Sequence, residues 1–381
     1  MRVTRYPGFK RVAPPAAALA GQPDLAVAPG GTIYLSWIEP VDSVKRRLRV
    51  ASLANGRWSV PTTVVESESL IANGADFPAL LAPVEGRLVL AWPWRAPGSL
   101  HASHVRAAVS TDGGLRWTTP VTVHDDRSPT EHGFVSLAAE PGGARIVWLD
   151  GRAGVGKEEG EYDTALRSAF IDSLGRISGE SQVDARVCDC CATSVAASFY
   201  GAVVAYRDRD LDEVRDVSIR RQIGPGWGTP QSQMTDGWRI QGCPVNGPAI
   251  DAIEERLFLA WYSAAADSPR VQAAFSVDGG ATLAHRSRLD LGQALGRVDV
   301  VGVPGGDAIV TWLEGVDERA RWLARRVSRD GLLGAPREIA AVPGRRSSGV
   351  MRVARSGERL IFAWVDPAAR SRLQVGVAPL R

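Results

Sequence analysis

The chain has 381 residues, 45% of them hydrophobic, which is enough for a sizeable core and excludes a disordered chain. Lys and Arg number 45 against 42 Asp and Glu, interspersed, so the net +3 excludes a nucleic-acid footprint and a polybasic membrane patch. No apolar stretch approaches the roughly 18 residues that a spanning helix needs.

At the N-terminus, residues 3–12 read as a strand that precedes the first full repeat. Residues 16–20 are too short for the apolar region of a signal peptide, so none is visible in this chain. From there a short apolar run ending in an aromatic recurs seven times, at Trp37, Trp92, Trp148, Tyr206, Trp261, Trp312 and Trp364. The aromatics are 55, 56, 58, 55, 51 and 52 residues apart. Such runs are too short for helices and are bounded by Gly, Pro and Asp, so they read as buried strands. Each is preceded by a strand and a Gly turn (Gly30 and Gly31, Gly142 and Gly143, Gly305 and Gly306) and followed by two more strands. The pattern predicts one all-β domain, a seven-bladed β-propeller of four-stranded antiparallel blades, with six blades plus a tail as the alternative. The expected blades cover about 23–66, 74–125, 130–184, 187–234, 240–290, 296–341 and 347–381, after a lead-in over 1–22. The seventh repeat lacks an outer strand, so residues 3–12 are expected to pair with residues 373–378 and close the ring.

Ser110, Asp112, Gly114 and Trp117 fit the spacing S-x-D-x-G-x-x-W, and Ser276, Asp278 and Gly280 repeat it with Leu283 in place of Trp. Asn55 to Trp58 and Ser328 to Gly331 look like worn copies. This motif resembles the Asp box, or BNR repeat, of the sialidase-like superfamily of propellers. In that family the box sits on the turn between third and fourth strands, away from the active face, so Asp112 and Asp278 read as structural.

Propeller ligands bind where inner strands begin and second strands end. Sixteen residues before each aromatic stand Gly21, Asp76, His132, Cys190, Val245, Gly296 and Ser348; eighteen before stand Cys188 and Cys243 in neighbouring repeats. Steps of 16 and 18 keep one facing, because the strand period is two. Asp76, His132, Cys188, Cys190 and Cys243, with Cys191 and Asn246 beside them, are therefore expected at one channel mouth. Two residues after the aromatics stand Glu39, Asp150, Asp208, Glu314 and Asp366, accompanied by the cations Arg152, Arg207 and Arg209. Blade-to-blade ion pairs and turn caps are the favoured reading of the acids. Asp150, Arg152, Arg207, Asp208 and Arg209 are also carried as candidate ligand-binding residues.

The four cysteines leave three readings open. Disulfides, with Cys188 joined to Cys243, fit an even count in an exported protein. A site for copper or zinc, with His132 or Asp76 completing the thiolate shell, is the second. A catalytic thiol is the third. The resemblance also implies an exo-sialidase, which needs three arginines on a substrate carboxylate, a Tyr–Glu nucleophile pair and an aspartate acid. Arg11, Arg152, Arg209 and Arg352 are available but unassigned, and the segment from Tyr6 to Arg11 only weakly echoes the family's opening motif. The expected partners are a small molecule, a glycan or a metal ion, with no nucleic acid and no membrane span. The expected protein is a monomer, periplasmic or secreted. A non-catalytic scaffold stapled by disulfides is the remaining alternative.

Overall fold

The computed structural model describes residues 3–99, 102–157, 162–230, 235–253, 255–317, 319–344, 349 and 351–380. Ser348 lies outside them. Seven sheets form among these residues, each an antiparallel meander in chain order. The inner strands are Gly21–Val27, Ala79–Val84, His132–Glu140, Ser194–Ser198, Ala249–Ile253, Ala294–Val303 and Arg352–Ser356, and they number blades 1 to 7. The second strands, among them Ile33–Pro40, Arg87–Arg95 and Gly143–Asp150, carry the aromatics found in the repeat.

Each of those aromatics is fully buried and packs in the seam between its own blade and the preceding one. Trp92 joins the cluster of blades 1 and 2, Trp148 that of 2 and 3, Tyr206 that of 3 and 4, and so on to Trp37, which seals blade 7 to blade 1. The core is thus seven radial seams. A large flat ring suits such a seam because it covers two sheets at once.

Inner strands of neighbouring blades do not pair, so their backbone groups at the seams need other partners. Short side chains provide them at six of the seven junctions, and a side-chain pair joins the seventh. Asp24 accepts the Leu80 N–H (2.7 Å), Asp76 that of Phe134 (2.9 Å) and Ser194 that of Ile250 (3.1 Å). Asp251 accepts from Gly302 (2.7 Å) and Asp299 from Val353 (2.8 Å). Thr193 donates to the Phe134 carbonyl (2.8 Å), and Arg352 donates to Asp24 (2.8 Å) across the closing seam.

The N-terminal segment closes the ring, but in two steps. Lys10 and Arg11 pair antiparallel with Val377 and Gly376 of blade 7, while Thr4 and Arg5 pair parallel with Arg337 and Glu338 of blade 6. Tyr6 and Phe9 set their rings 5.7 and 5.9 Å from Phe362. The Tyr6 to Arg11 segment is therefore a closure device, and position 376 is glycine because a Cβ there would run into the Phe9 ring.

The turns at Ser110 to Trp117 and Ser276 to Leu283 are closed by side chains. Ser110 Oγ accepts the Gly114 N–H (2.9 Å), Asp112 Oδ1 accepts that of Arg116 (2.9 Å), and Ser276 and Asp278 repeat both bonds. Gly113 and Gly114, at φ 72° and 89°, hold the left-handed backbone the turn requires.

Candidate functional site

The central cavity, about 230 Å³, is lined by all seven inner strands. Its charged residues are Asp24, Arg297, Asp299 and Arg352, joined by Ser136, Thr193 and Asn246. Arg352 rests on Phe77, 4.5 Å from the ring centroid, while paired to Asp24. Burial raises the Asp24 carboxyl despite this pair, and raises Asp299 to about 6.

The cysteines meet on the rim where the inner strands begin. Cys188, Cys190 and Cys191 lie on the turn between Ile177–Val187, the outer strand of blade 3, and Ser194–Ser198. Cys243 lies on the loop ahead of Ala249–Ile253. The Cys188 sulfur is 3.3 Å from that of Cys191 and 3.8 Å from that of Cys190. Cys190, Cys243 and Asp189 form a second trio with ligand atoms within 4.8 Å of one another. Cys190 therefore links all four sulfurs, and Cys243 reaches the cluster through Cys190 and Asp189 rather than through Cys188, its equal in repeat offset. The four are unbridged. Cys188 and Cys191 are buried, whereas Cys243 is exposed.

Two buried arginines border the sulfurs. Arg215 Nη1 stands 3.5 Å from Cys188 Sγ and pairs with Glu213. Arg207 donates to the carbonyls of Asn246, Arg215 and Tyr262 and lies 4.7 Å from the Trp238 ring centroid. Hydrogen bonds from the Cys190 and Cys191 thiols hold Cys188 well below the usual thiol range, and Arg215 adds to this. Burial pushes the Cys191 thiol up to about 12, against the attraction of Arg207. The turn thus offers one thiolate and further sulfurs within a cationic wall.

The other expected residues are distributed around the rim. Asp76 is buried as a strut between blades 2 and 3, and burial raises it to about 7. Asn246 accepts the Arg297 N–H (2.9 Å) with its side chain and the Arg207 guanidinium with its carbonyl. Asp208 takes the Ser218 hydroxyl (2.9 Å), and Arg209 pairs with Glu213 (2.7 Å). Arg152 bridges Asp150, Asp125 and Glu180.

Two expectations are corrected. The acids two residues past the aromatics are chiefly indole acceptors. Glu39, Asp150 and Glu314 take the Nε1–H of Trp37, Trp148 and Trp312 at 2.8, 2.9 and 2.7 Å. Residues i and i+2 share a strand face, so the acid falls beside the indole. The ion pairs of Glu39, to Arg47 and Arg49, stay within blade 1, and Asp366 caps a turn through Ala368 N–H. Blade 5 has Ser263 at this position, and Asp236 receives the Trp261 N–H (2.8 Å) instead. The second correction concerns His132, which stacks on His124 in a histidine group with His104 rather than joining the thiols. Sequence reasoning missed His104 and His124; four of the five histidines falling between residues 101 and 132 is the signal that marks them.

No protein-family model matches the sequence, and no curated protein matches it significantly. Among solved structures it is similar to an alpha-L-arabinanase of Penicillium chrysogenum, at 15% identity and TM-score 0.53, covering 98% of each chain. It is similar to the polysaccharide lyase Uly1 at 9% identity and TM-score 0.57, over 97% of this chain and 92% of that one. A neuraminidase-like protein of bat origin (A/bat/Guatemala) matches at 8% identity and TM-score 0.50, over 100% and 96%. At such identities the likeness is one of architecture, and by fold the chain is a β-propeller like these three.

Proposed function

We propose that this protein is a rigid propeller scaffold that holds a thiophilic metal ion, copper(I) or zinc(II), on Cys188, Cys190, Cys191 and Cys243. The sulfur spacing carries the reading. Four sulfurs about 2.3 Å from a tetrahedral ion stand about 3.8 Å apart, and the Cys188 sulfur lies 3.8 and 3.3 Å from its two turn neighbours. Arg207 and Arg215 offset the negative charge that several thiolates bring to one ion. The propeller supplies the rigidity, since every junction beneath the rim is pinned by hydrogen bonds. The reading includes export to the periplasm or outside, which cell fractionation tests.

Metal analysis of anaerobically purified protein, with thiol counting on the same sample, tests it. One equivalent of copper or zinc is expected, lost in Cys190→Ser with only a modest shift in thermal midpoint. Wild type without metal, with disulfides whose reduction costs about 2–5 kcal/mol, overturns it in favour of a stapled scaffold.

A second reading, a glycan-acting enzyme, draws on the polar cavity with Asp24, Arg297, Asp299 and Arg352 and on the arabinanase and polysaccharide lyase among the fold neighbours. Turnover of an arabinan or a uronate polysaccharide, abolished by Arg352→Ala, would support it.

A further inference from the structure

We propose that His104, His124 and His132, together with Asp126, form a second metal site between blades 2 and 3, taking a borderline divalent cation such as zinc(II), nickel(II) or copper(II). It is independent of the cysteine site and uses only nitrogen and oxygen donors.

His104 lies in the third strand of blade 2, Ser103–Ser110; His124 follows that blade's outer strand, Val121–Thr122; His132 opens the inner strand of blade 3. One ligand nitrogen from each falls within 4.8 Å of the others. His132 is wholly buried and His124 nearly so, at 2% exposure.

Hydrogen bonding fixes which nitrogens are offered. His132 Nδ1 stands 2.9 Å from the Ser103 carbonyl, and His124 Nδ1 stands 2.8 Å from the Asp126 carbonyl. A carbonyl only accepts, so each Nδ1 carries its hydrogen and each Nε2 is left as the donor position. Metal-ligating histidines are commonly oriented this way. His124 Nε2 accepts the Val105 N–H at 3.3 Å, a bond that an ion on this nitrogen would replace. His132 Nε2 and His104 Nδ1 are buried without a hydrogen bond among the described residues.

Asp126 Oδ2 stands 3.0 Å from His132 Nε2, and Asp150 Oδ2 stands 3.7 Å away. Both approaches miss hydrogen-bond geometry, since Nε2 counts as unbonded. His132 Nε2 thus meets two carboxylate oxygens without a hydrogen bond to either, a gap that a cation would fill. Ligand atoms about 2.0–2.1 Å from a tetrahedral zinc ion are about 3.3 Å apart, close to the Nε2–Oδ2 separation. Imidazole and carboxylate donors select such ions. His124 and His132 are stacked at 3.9 Å and 6°, so binding through both rings must open the stack.

Cys190→Ser protein, stripped with EDTA, is titrated with zinc(II) by calorimetry and assayed for metal. One equivalent at micromolar affinity or tighter is expected, weakened at least tenfold by His104→Gln and by Asp126→Asn, with unchanged thermal midpoints before zinc is added. If Cys190→Ser does not fold, wild type is assayed: each substitution should remove one equivalent of bound zinc. Absence of binding, binding indifferent to both substitutions, or a His132 ring doubly protonated at pH 7 in excess zinc by nitrogen NMR would each overturn the site.

Discussion

Trp312 donates its indole N–H to Glu314 Oε2 at 2.7 Å, and the same bond across two residues joins Trp37 to Glu39 and Trp148 to Asp150. Trp92 and Trp364 lack such an acceptor, and their indole nitrogens are buried unpaired among the described residues. Trp312→Phe and Trp92→Phe remove the same ring atoms, but only the first strips a partner from a buried carboxylate. Trp312→Phe is expected to cost about 1–3 kcal/mol more than Trp92→Phe in urea denaturation. Equal costs would mean the indole bonds add nothing.

Closure rests on Phe9 and Tyr6 against Phe362. Phe9 is only partly buried, so Phe9→Ala is expected to cost about 2–3 kcal/mol, below the range for a fully buried ring. Limited proteolysis should then cut the N-terminal segment first. Wild-type resistance in Phe9→Ala would refute closure by this segment.

The seam carboxyls set a pH dependence. Burial raises Asp76 to about 7 and Asp299 to about 6, above their unfolded values near 3.9. The folded state then binds more protons between about pH 4 and 7, so this contribution is full below pH 4 and is lost as pH rises to 7. Asp76→Asn keeps an acceptor for the Phe134 N–H without the charge. It should flatten the fall in stability from pH 5 to 8 by about 2–4 kcal/mol. An identical pH slope in wild type and variant would rule this out.

Cys243 stands on a separate loop and is exposed, whereas the other three sulfurs share one turn. Cys243→Ser should retain metal after gentle purification yet release it to a chelator at least tenfold faster than wild type. Complete loss of metal from Cys243→Ser would make it an equal ligand.

Release of sialic acid from a fluorogenic sialoside should be weak or nil. Arg152, Arg209 and Arg352 are engaged with Asp150, Glu213 and Asp24, and of the three only Arg352 lines the central cavity. Ordinary enzymatic turnover, abolished by replacing one of them, would contradict this.

The sequence by itself determined the architecture. A strand period of two, repeated at near-constant spacing with one aromatic per repeat, points to rings buried between successive blades of a propeller. The same period placed three of the acids on the face of the indoles, and nearness in the chain put Cys188, Cys190 and Cys191 on one rim turn. Proximity between blades was decided by the tertiary structure. A register shift between Gly133 and Ser136 and the path of the blade 2 outer strand set His132 against His124 and His104. The loop before blade 5 likewise carries Cys243 to Cys190 instead of Cys188. Strand periodicity governs which way a side chain faces, but its neighbour in the next blade depends on loop path and bulges, which carry no period to read.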